Sequence, residues 1–98
     1  MTKDKEEQKK LKQAVAIRYN ADKDRAPKVT AKGKGVAADK ILQLGKQHSI
    51  PVYQNKTLTS MLMAIEIDHE VPPELYSAVA EVLAYIYRID QRVAKSRK

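Results

Sequence analysis

Apolar and polar positions follow two spacings along the chain, and these spacings predict a succession of strands and helices. Short apolar runs with β-branched residues predict strands at 14–19, 28–32 and 50–54. The Asn, Asp and Pro residues of 20–27 predict a loop between the first two strands. Apolar residues three and four positions apart predict helices at 36–48, 56–66 and 72–93, and Asn55 can cap the second of them. The order strand, strand, helix, strand, helix, helix predicts an α/β fold, with a small mixed β-sheet packed with helices.

The last helix has the strongest sequence signals. Pro72, Pro73 and Glu74 are typical of a helix start, because proline fits the first turn and an acid there favours the helix dipole. One apolar stripe on this helix consists of Leu75, Val79, Val82, Leu83 and Ile86. A second stripe beside it consists of Tyr76, Ala80, Leu83 and Tyr87. Two adjacent stripes are wider than a single core contact requires.

The two ends of the chain are charged rather than apolar. Residues 1–12 mix Lys, Glu, Asp and Gln with one Leu and predict a charged helical arm in front of the domain. The domain is expected at 13–93, followed by a basic tail at 94–98. No apolar run approaches the roughly 20 residues that cross a bilayer, and the start is too charged for a signal peptide. We therefore expect a cytoplasmic protein without membrane insertion.

The formal net charge of +7 is distributed unevenly. The ends, 1–12 and 88–98, contribute +6 of it. Residues 18–56 contain nine basic and three acidic side chains, whereas 57–87 contain five acidic and no basic ones. Such a two-sided domain suits a protein partner of complementary charge at least as well as a phosphate backbone. Simple solubility explains the pattern equally well.

Catalytic and metal-binding patterns are missing from the sequence. There is no cysteine, and the two histidines, His48 and His69, stand 21 residues apart without an H-E-x-x-H pattern. No G-x-S-x-G marks Ser49, Ser60 or Ser77 as a nucleophile. We therefore expect no metal, no cofactor and no enzymatic activity.

Two ligand classes, nucleotides and nucleic acids, have partial support in the sequence. The run from Gly33 to Ala38 fits G-x-G-x-x-A, the pattern of a dinucleotide loop, but no acid for a ribose follows the next predicted strand. A plain strand-to-helix turn explains these glycines. A small basic nucleic-acid-binding domain is the alternative function, although Tyr76, Tyr85 and Tyr87 fall on the last helix, away from the basic segment.

Several runs of residues together resemble a known family. They are AVAIRY at 14–19, APKVTAKG at 26–33, IPV at 50–52, IEID at 65–68 and VPPELYSAVAEVLAYIY at 71–87. Over about residues 13–89 the chain resembles the cytoplasmic domain of the FlhB/YscU family. These are membrane proteins of the flagellar or injectisome export gate, and their cytoplasmic domain switches the class of exported substrate. The resemblance implies export-apparatus proteins and export substrates as partners.

The family's self-cleavage motif is not found in this chain. In the family, Asn-Pro-Thr-His precedes the first matched strand, and the bond between its Asn and Pro cuts itself. Here residues 9–12 read Lys-Lys-Leu-Lys, and Asn20 and Asn55 precede Ala and Lys. The reaction needs an Asn amide that attacks its own backbone carbonyl, so we expect a chain that stays intact.

The family's apolar docking patch for export substrates maps onto four residues here: Ala26, Pro27, Ala80 and Leu83. The last two stand three apart on the last helix and therefore share a face. The resemblance implies a partner-binding surface at these residues. That all four are ordinary core or turn residues is the alternative.

Overall fold

A computed structural model describes the backbone of residues 12–96 and the side chains of residues 12–88. It contains two strands, β1 (Gln13–Arg18) and β2 (Lys28–Lys34), and three α-helices, α1 (Val36–Gln47), α2 (Lys56–Leu62) and α3 (Tyr76–Ser96). A 3₁₀ turn, Pro73–Leu75, leads into α3. The α/β class is confirmed, while the predicted arm at 1–12 lies almost wholly outside the described residues.

The two strands form an antiparallel hairpin with a bulge. Ala16 faces Ala31, but Ile17 faces Val29, so Thr30 is an extra residue on β2. The Thr30 hydroxyl donates to the Ala16 carbonyl at 3.3 Å and ties the bulge to the partner strand. The bulge lies close to the end of the hairpin at which the loop at 19–27 connects β1 to β2.

The glycines at 33 and 35 serve the turn from β2 into α1. A Cβ on Gly33 would lie 2.6 Å from the Ala37 Cβ, so only glycine lets the helix start this close to the strand. Gly35 has φ 57° and ψ −122°, a conformation that side chains disfavour. Its N–H donates to the Lys12 carbonyl at 2.8 Å. These contacts explain both glycines without a nucleotide.

The predicted strand at 50–54 is not formed, and no residue from 50 to 55 takes part in a sheet. The sheet of the described residues is therefore two-stranded and antiparallel instead of mixed. The segment begins in a Schellman motif, where Ser49 has φ 57° and the Ile50 N–H donates to the Gly45 carbonyl at 2.8 Å. Pro51 then has no N–H for a neighbouring strand. Tyr53 instead packs edge-on against Tyr85 of α3, with ring centroids 5.3 Å apart.

Helix α2 is shorter than the predicted 56–66. The Asn55 side chain caps its start by accepting from the Leu58 N–H at 3.0 Å, as the sequence indicates for this residue. After Leu62 the chain leaves the helix in tighter turns, in which the Ile65 N–H donates to the Leu62 carbonyl at 3.1 Å. The Lys32 Nζ reaches across from β2 and donates to the carbonyls of Met63 and Ile65, just beyond the helix, at 2.9 and 2.8 Å.

The core lies between the hairpin, α2 and the start of α3. Leu58, Leu62, Val71 and Val79 form its buried cluster, and Leu75, Val82 and Leu83 pack against it. Four members of the first apolar stripe, Leu75, Val79, Val82 and Leu83, therefore belong to the core cluster or pack against it. Among the residues with a described structure, no helix is long and apolar enough to cross a membrane.

Candidate docking site

The loop between the two strands is built by its own polar side chains. The Asn20 carbonyl accepts the N–H groups of Lys23 and Asp24, and the Asn20 side chain accepts the Asp22 N–H at 3.0 Å. In return, the Asp24 carboxylate accepts the Asn20 N–H at 2.9 Å. This closed set of bonds is the Asx-turn chemistry that the sequence predicts for 20–27. These bonds fix the backbone just before Arg25, Ala26 and Pro27.

Backbone bonds to the segment before α3 hold the end of this loop in place. The Val71 N–H donates to the Pro27 carbonyl at 2.8 Å, and the Val29 N–H donates to the His69 carbonyl at 3.1 Å. Lys28 and Glu70 form an antiparallel bridge between these bonds. The loop is thereby placed beside the first turns of α3.

Loop and helix line a depression of about 200 Å³ that is open to solvent, which we call the loop–helix cavity. It is lined by seven residues, Tyr19, Arg25, Ala26, Pro27, Tyr76, Ala80 and Leu83. All four residues predicted for the docking patch, Ala26, Pro27, Ala80 and Leu83, are among them. Residues more than fifty positions apart in the sequence therefore meet on one surface.

The four predicted residues contribute to the cavity in different ways. Ala80 is exposed, whereas Pro27 and Leu83 are half-buried and form its walls. Ala26 is only 1% exposed, so it forms the floor and offers almost no surface to a partner. Leu83 lines the cavity and also packs against the core cluster. The alternative that these are ordinary core residues thus applies to Ala26 and to one side of Leu83.

Nothing in the sequence assigns Tyr19 or Arg25 to the site. Tyr19 stands at the end of the first predicted strand and Arg25 inside the predicted loop, and neither position carries a local signal for a cavity. Tyr76 belongs to the second apolar stripe of the last helix. Tyr19 and Tyr76 are 43% and 41% exposed, so both rings are available at the surface.

Among the described lining residues, Arg25 is the one with a charged side chain. Its Nη2 lies 3.6 Å from the Glu70 Oε1, and its side chain is 87% exposed. The cavity is therefore a largely apolar depression with two tyrosine rings in its lining and one exposed cation, Arg25, at its rim.

The other candidate residues do not gather into a site. His48 forms the exposed C-terminal end of α1, and His69 lies 3.5 Å from Glu66 with both side chains mostly exposed. Between residues 12 and 88, no group of three or more His, Cys, Asp or Glu side chains could hold a metal ion. Ser60 donates to the Gln13 side chain at 3.2 Å, a contact between α2 and β1.

Known proteins match this chain along most of its length. Residues 11–86 match the model of the FlhB HrpN YscU SpaS family. YlqH of Bacillus subtilis is 38% identical over 92 residues, which are 94% of this chain and 98% of YlqH. FlhB of Aquifex aeolicus is 46% identical over 74 residues, which are 74% of this chain and 21% of that protein. The chain thus spans nearly all of YlqH but about a fifth of this FlhB.

Solved structures agree with the sequence matches. The cytoplasmic domain of FlhB from Shewanella putrefaciens superposes with a TM-score of 0.80 at 30% identity, covering 85% of this chain and 69% of that one. The PscU C-terminal domain gives a TM-score of 0.72 at 31% identity, covering 76% of this chain and 95% of that one. The resemblance noted in the sequence is confirmed, and the chain belongs to the FlhB/YscU family of flagellar and type III export switch domains.

Proposed function

We propose that this protein acts in the cytoplasm as a binding domain of flagellar or type III protein export. Its partners are export-apparatus proteins or export substrates, and it binds them without catalysis and without cutting its own chain. The observation that carries the proposal is the loop–helix cavity, in which Ala26, Pro27, Ala80 and Leu83 meet.

The dimensions and the lining of the cavity suit one apolar side chain of a partner. A protein cavity of about 150 Å³ accommodates a benzene molecule, and the loop–helix cavity has about 200 Å³. Tyr19 and Tyr76 are of the residue type that supplies rigid contact area in interfaces.

The walls are also fixed before a partner arrives. Leu83 packs against the core, and the Pro27 carbonyl accepts the Val71 N–H. Because Leu83 and Pro27 are already held in place, less free energy is lost in ordering them when a partner binds.

The alternative of nucleic-acid binding receives less support from this surface. Binding to a phosphate backbone rests on several cations that track the strand. The described lining of the cavity has one cation, Arg25, while its other members are apolar or aromatic. A protein ligand matches this lining better.

The binding proposal is tested with purified protein and hook or rod export substrates. Ala80→Asp and Leu83→Asp each place a carboxylate in the apolar lining, so we expect at least about tenfold weaker binding, since an unpaired charge is costly to desolvate. Isothermal titration calorimetry measures the affinities. Circular dichroism spectra establish that each variant is folded, which matters most for Leu83 because it also packs against the core.

Ala84→Asp is the matched control for this experiment. Ala84 is exposed on the same helix, one turn beyond Ala80, and does not line the cavity. The variant has the same added charge and the same change in helix propensity, so its affinity should equal that of the wild type. Unchanged binding in both Ala80→Asp and Leu83→Asp contradicts the docking role.

A further inference from the structure

Arg25 stands directly beside the floor of the loop–helix cavity. The preceding bonds between Asn20 and Asp24 and the following bond from Val71 to Pro27 fix the backbone on both sides of Arg25 and Ala26. The Arg25 backbone therefore keeps a constant place beside the cavity, and the guanidinium reaches the rim from it. A peptide that inserts an apolar side chain brings its neighbouring residues to the rim where Arg25 lies.

The guanidinium retains hydrogen-bonding capacity in this position. Its Nη2 lies 3.6 Å from the Glu70 Oε1, whereas a charge-assisted hydrogen bond measures about 2.7–2.9 Å. A guanidinium has five N–H donors in a planar fork that fits a carboxylate with two parallel bonds. With the Arg25 side chain 87% exposed, a ligand carboxylate can approach it from solvent.

The attraction for a carboxylate comes from Arg25 itself. The loop at 19–27 contains two basic side chains, Lys23 and Arg25, and two acidic ones, Asp22 and Asp24. Asp24 accepts the Asn20 N–H within the loop. A ligand carboxylate is thus attracted by the Arg25 cation in the cavity lining and not by a general positive charge of the loop.

We infer that the loop–helix cavity selects peptide segments in which an apolar side chain stands within a few residues of an Asp or Glu. The apolar side chain enters the cavity, and Arg25 binds the carboxylate at the rim. This inference rests on the proposed function, since it specifies the chemistry of the partner that the same cavity binds.

The test uses short peptides with blocked ends, so that every carboxylate comes from a side chain. Each peptide has one central Leu or Phe, and the neighbouring positions are occupied in turn by Glu, Gln or Lys. Fluorescence anisotropy gives the affinity of each peptide for the wild-type protein, Arg25→Gln, Arg25→Glu, Lys23→Gln and Leu83→Asp. Lys23 is the matched control, because it is an exposed cation of the same loop that does not line the cavity.

We expect the wild type to bind Glu peptides about three- to fivefold more tightly than Gln peptides, as is usual for an exposed ion pair. Arg25→Gln should lose this preference while still binding the apolar side chain, and Arg25→Glu should prefer Lys peptides. Lys23→Gln should retain the preference for Glu.

Two results overturn the inference: a wild type that binds Glu and Gln peptides equally or binds neither, or a Lys23→Gln variant that loses the preference as fully as Arg25→Gln. Failure of the proposed function looks different. In that case Leu83→Asp binds the peptides as tightly as the wild type, whatever their charge.

Discussion

At the scale of single residues, Leu83 connects the core with the candidate site. It belongs to both apolar stripes of the last helix. One side of Leu83 packs against the core cluster, and the other side lines the cavity. The overlap of the stripes was visible in the sequence. Which neighbours each side would meet depended on residues far away in the chain.

Gly33 and Gly45 provide a matched pair of predictions at this scale. A Cβ on Gly33 would lie 2.6 Å from the Ala37 Cβ and 3.0 Å from the Ala37 carbonyl carbon, so Gly33→Ala should destabilise the protein by about 1–3 kcal/mol. A Cβ on Gly45 would meet only the Ile50 Cβ, at 3.9 Å. Gly45→Ala should stabilise the protein by about 0.5–1 kcal/mol, because alanine favours the helix.

Urea unfolding followed by circular dichroism measures both changes in the free energy of unfolding. The opposite signs are the informative result. Equal stability of Gly33→Ala and the wild type would show that the approach of α1 to β2 does not require glycine.

At the scale of elements, two helices end at other residues than the apolar spacing predicts. Helical spacing continues to Ile65 in the sequence, but α2 ends at Leu62, and the Lys32 Nζ donates to the Met63 and Ile65 carbonyls beyond it. Conversely, α3 continues to Ser96, beyond the predicted end near Val93. Local spacing indicates that a helix exists, but it does not fix the residue at which the helix ends.

The contact made by Lys32 leads to a second prediction of stability. Lys32→Met preserves the length of the side chain and removes the charged donor, so the free energy of unfolding should fall by about 1–3 kcal/mol. Lys34→Met is the control, since Lys34 is an exposed lysine on the same strand. Thermal and urea unfolding compare the two. Equal effects of both substitutions would argue against a special role of the Lys32 hydrogen bonds.

The segment at 50–54 shows the limit of pattern reasoning for strands. Its apolar residues suit a strand, yet Ile50 and Val52 remain 59% and 54% exposed. A strand exists only if a neighbour offers it backbone groups, and composition does not supply that neighbour. The segment follows the Schellman turn at Ser49, contains Pro51, which has no N–H, and has no neighbouring strand among the described residues.

At the scale of the whole molecule, the chain should remain a single piece after purification. Self-cleavage in the family takes place between Asn and Pro, and no Asn-Pro bond occurs in these 98 residues. Intact mass spectrometry after prolonged incubation should therefore give one species near 11.1 kDa. Two fragments with a boundary between residues 8 and 13 would contradict this prediction.

The sequence by itself determined the α/β class, the three helices, the cap at Asn55, the family and the lack of an Asn-Pro bond. These features depend on residue types, on the spacing of neighbouring residues and on runs of consecutive residues that resemble those of the family. Tertiary structure alone decided that the sheet has two strands, that Gly33 serves a close helix contact, and that Tyr19 and Arg25 join Leu83 around one cavity. Those outcomes depend on packing between positions far apart in the chain, for which local spacing carries no information.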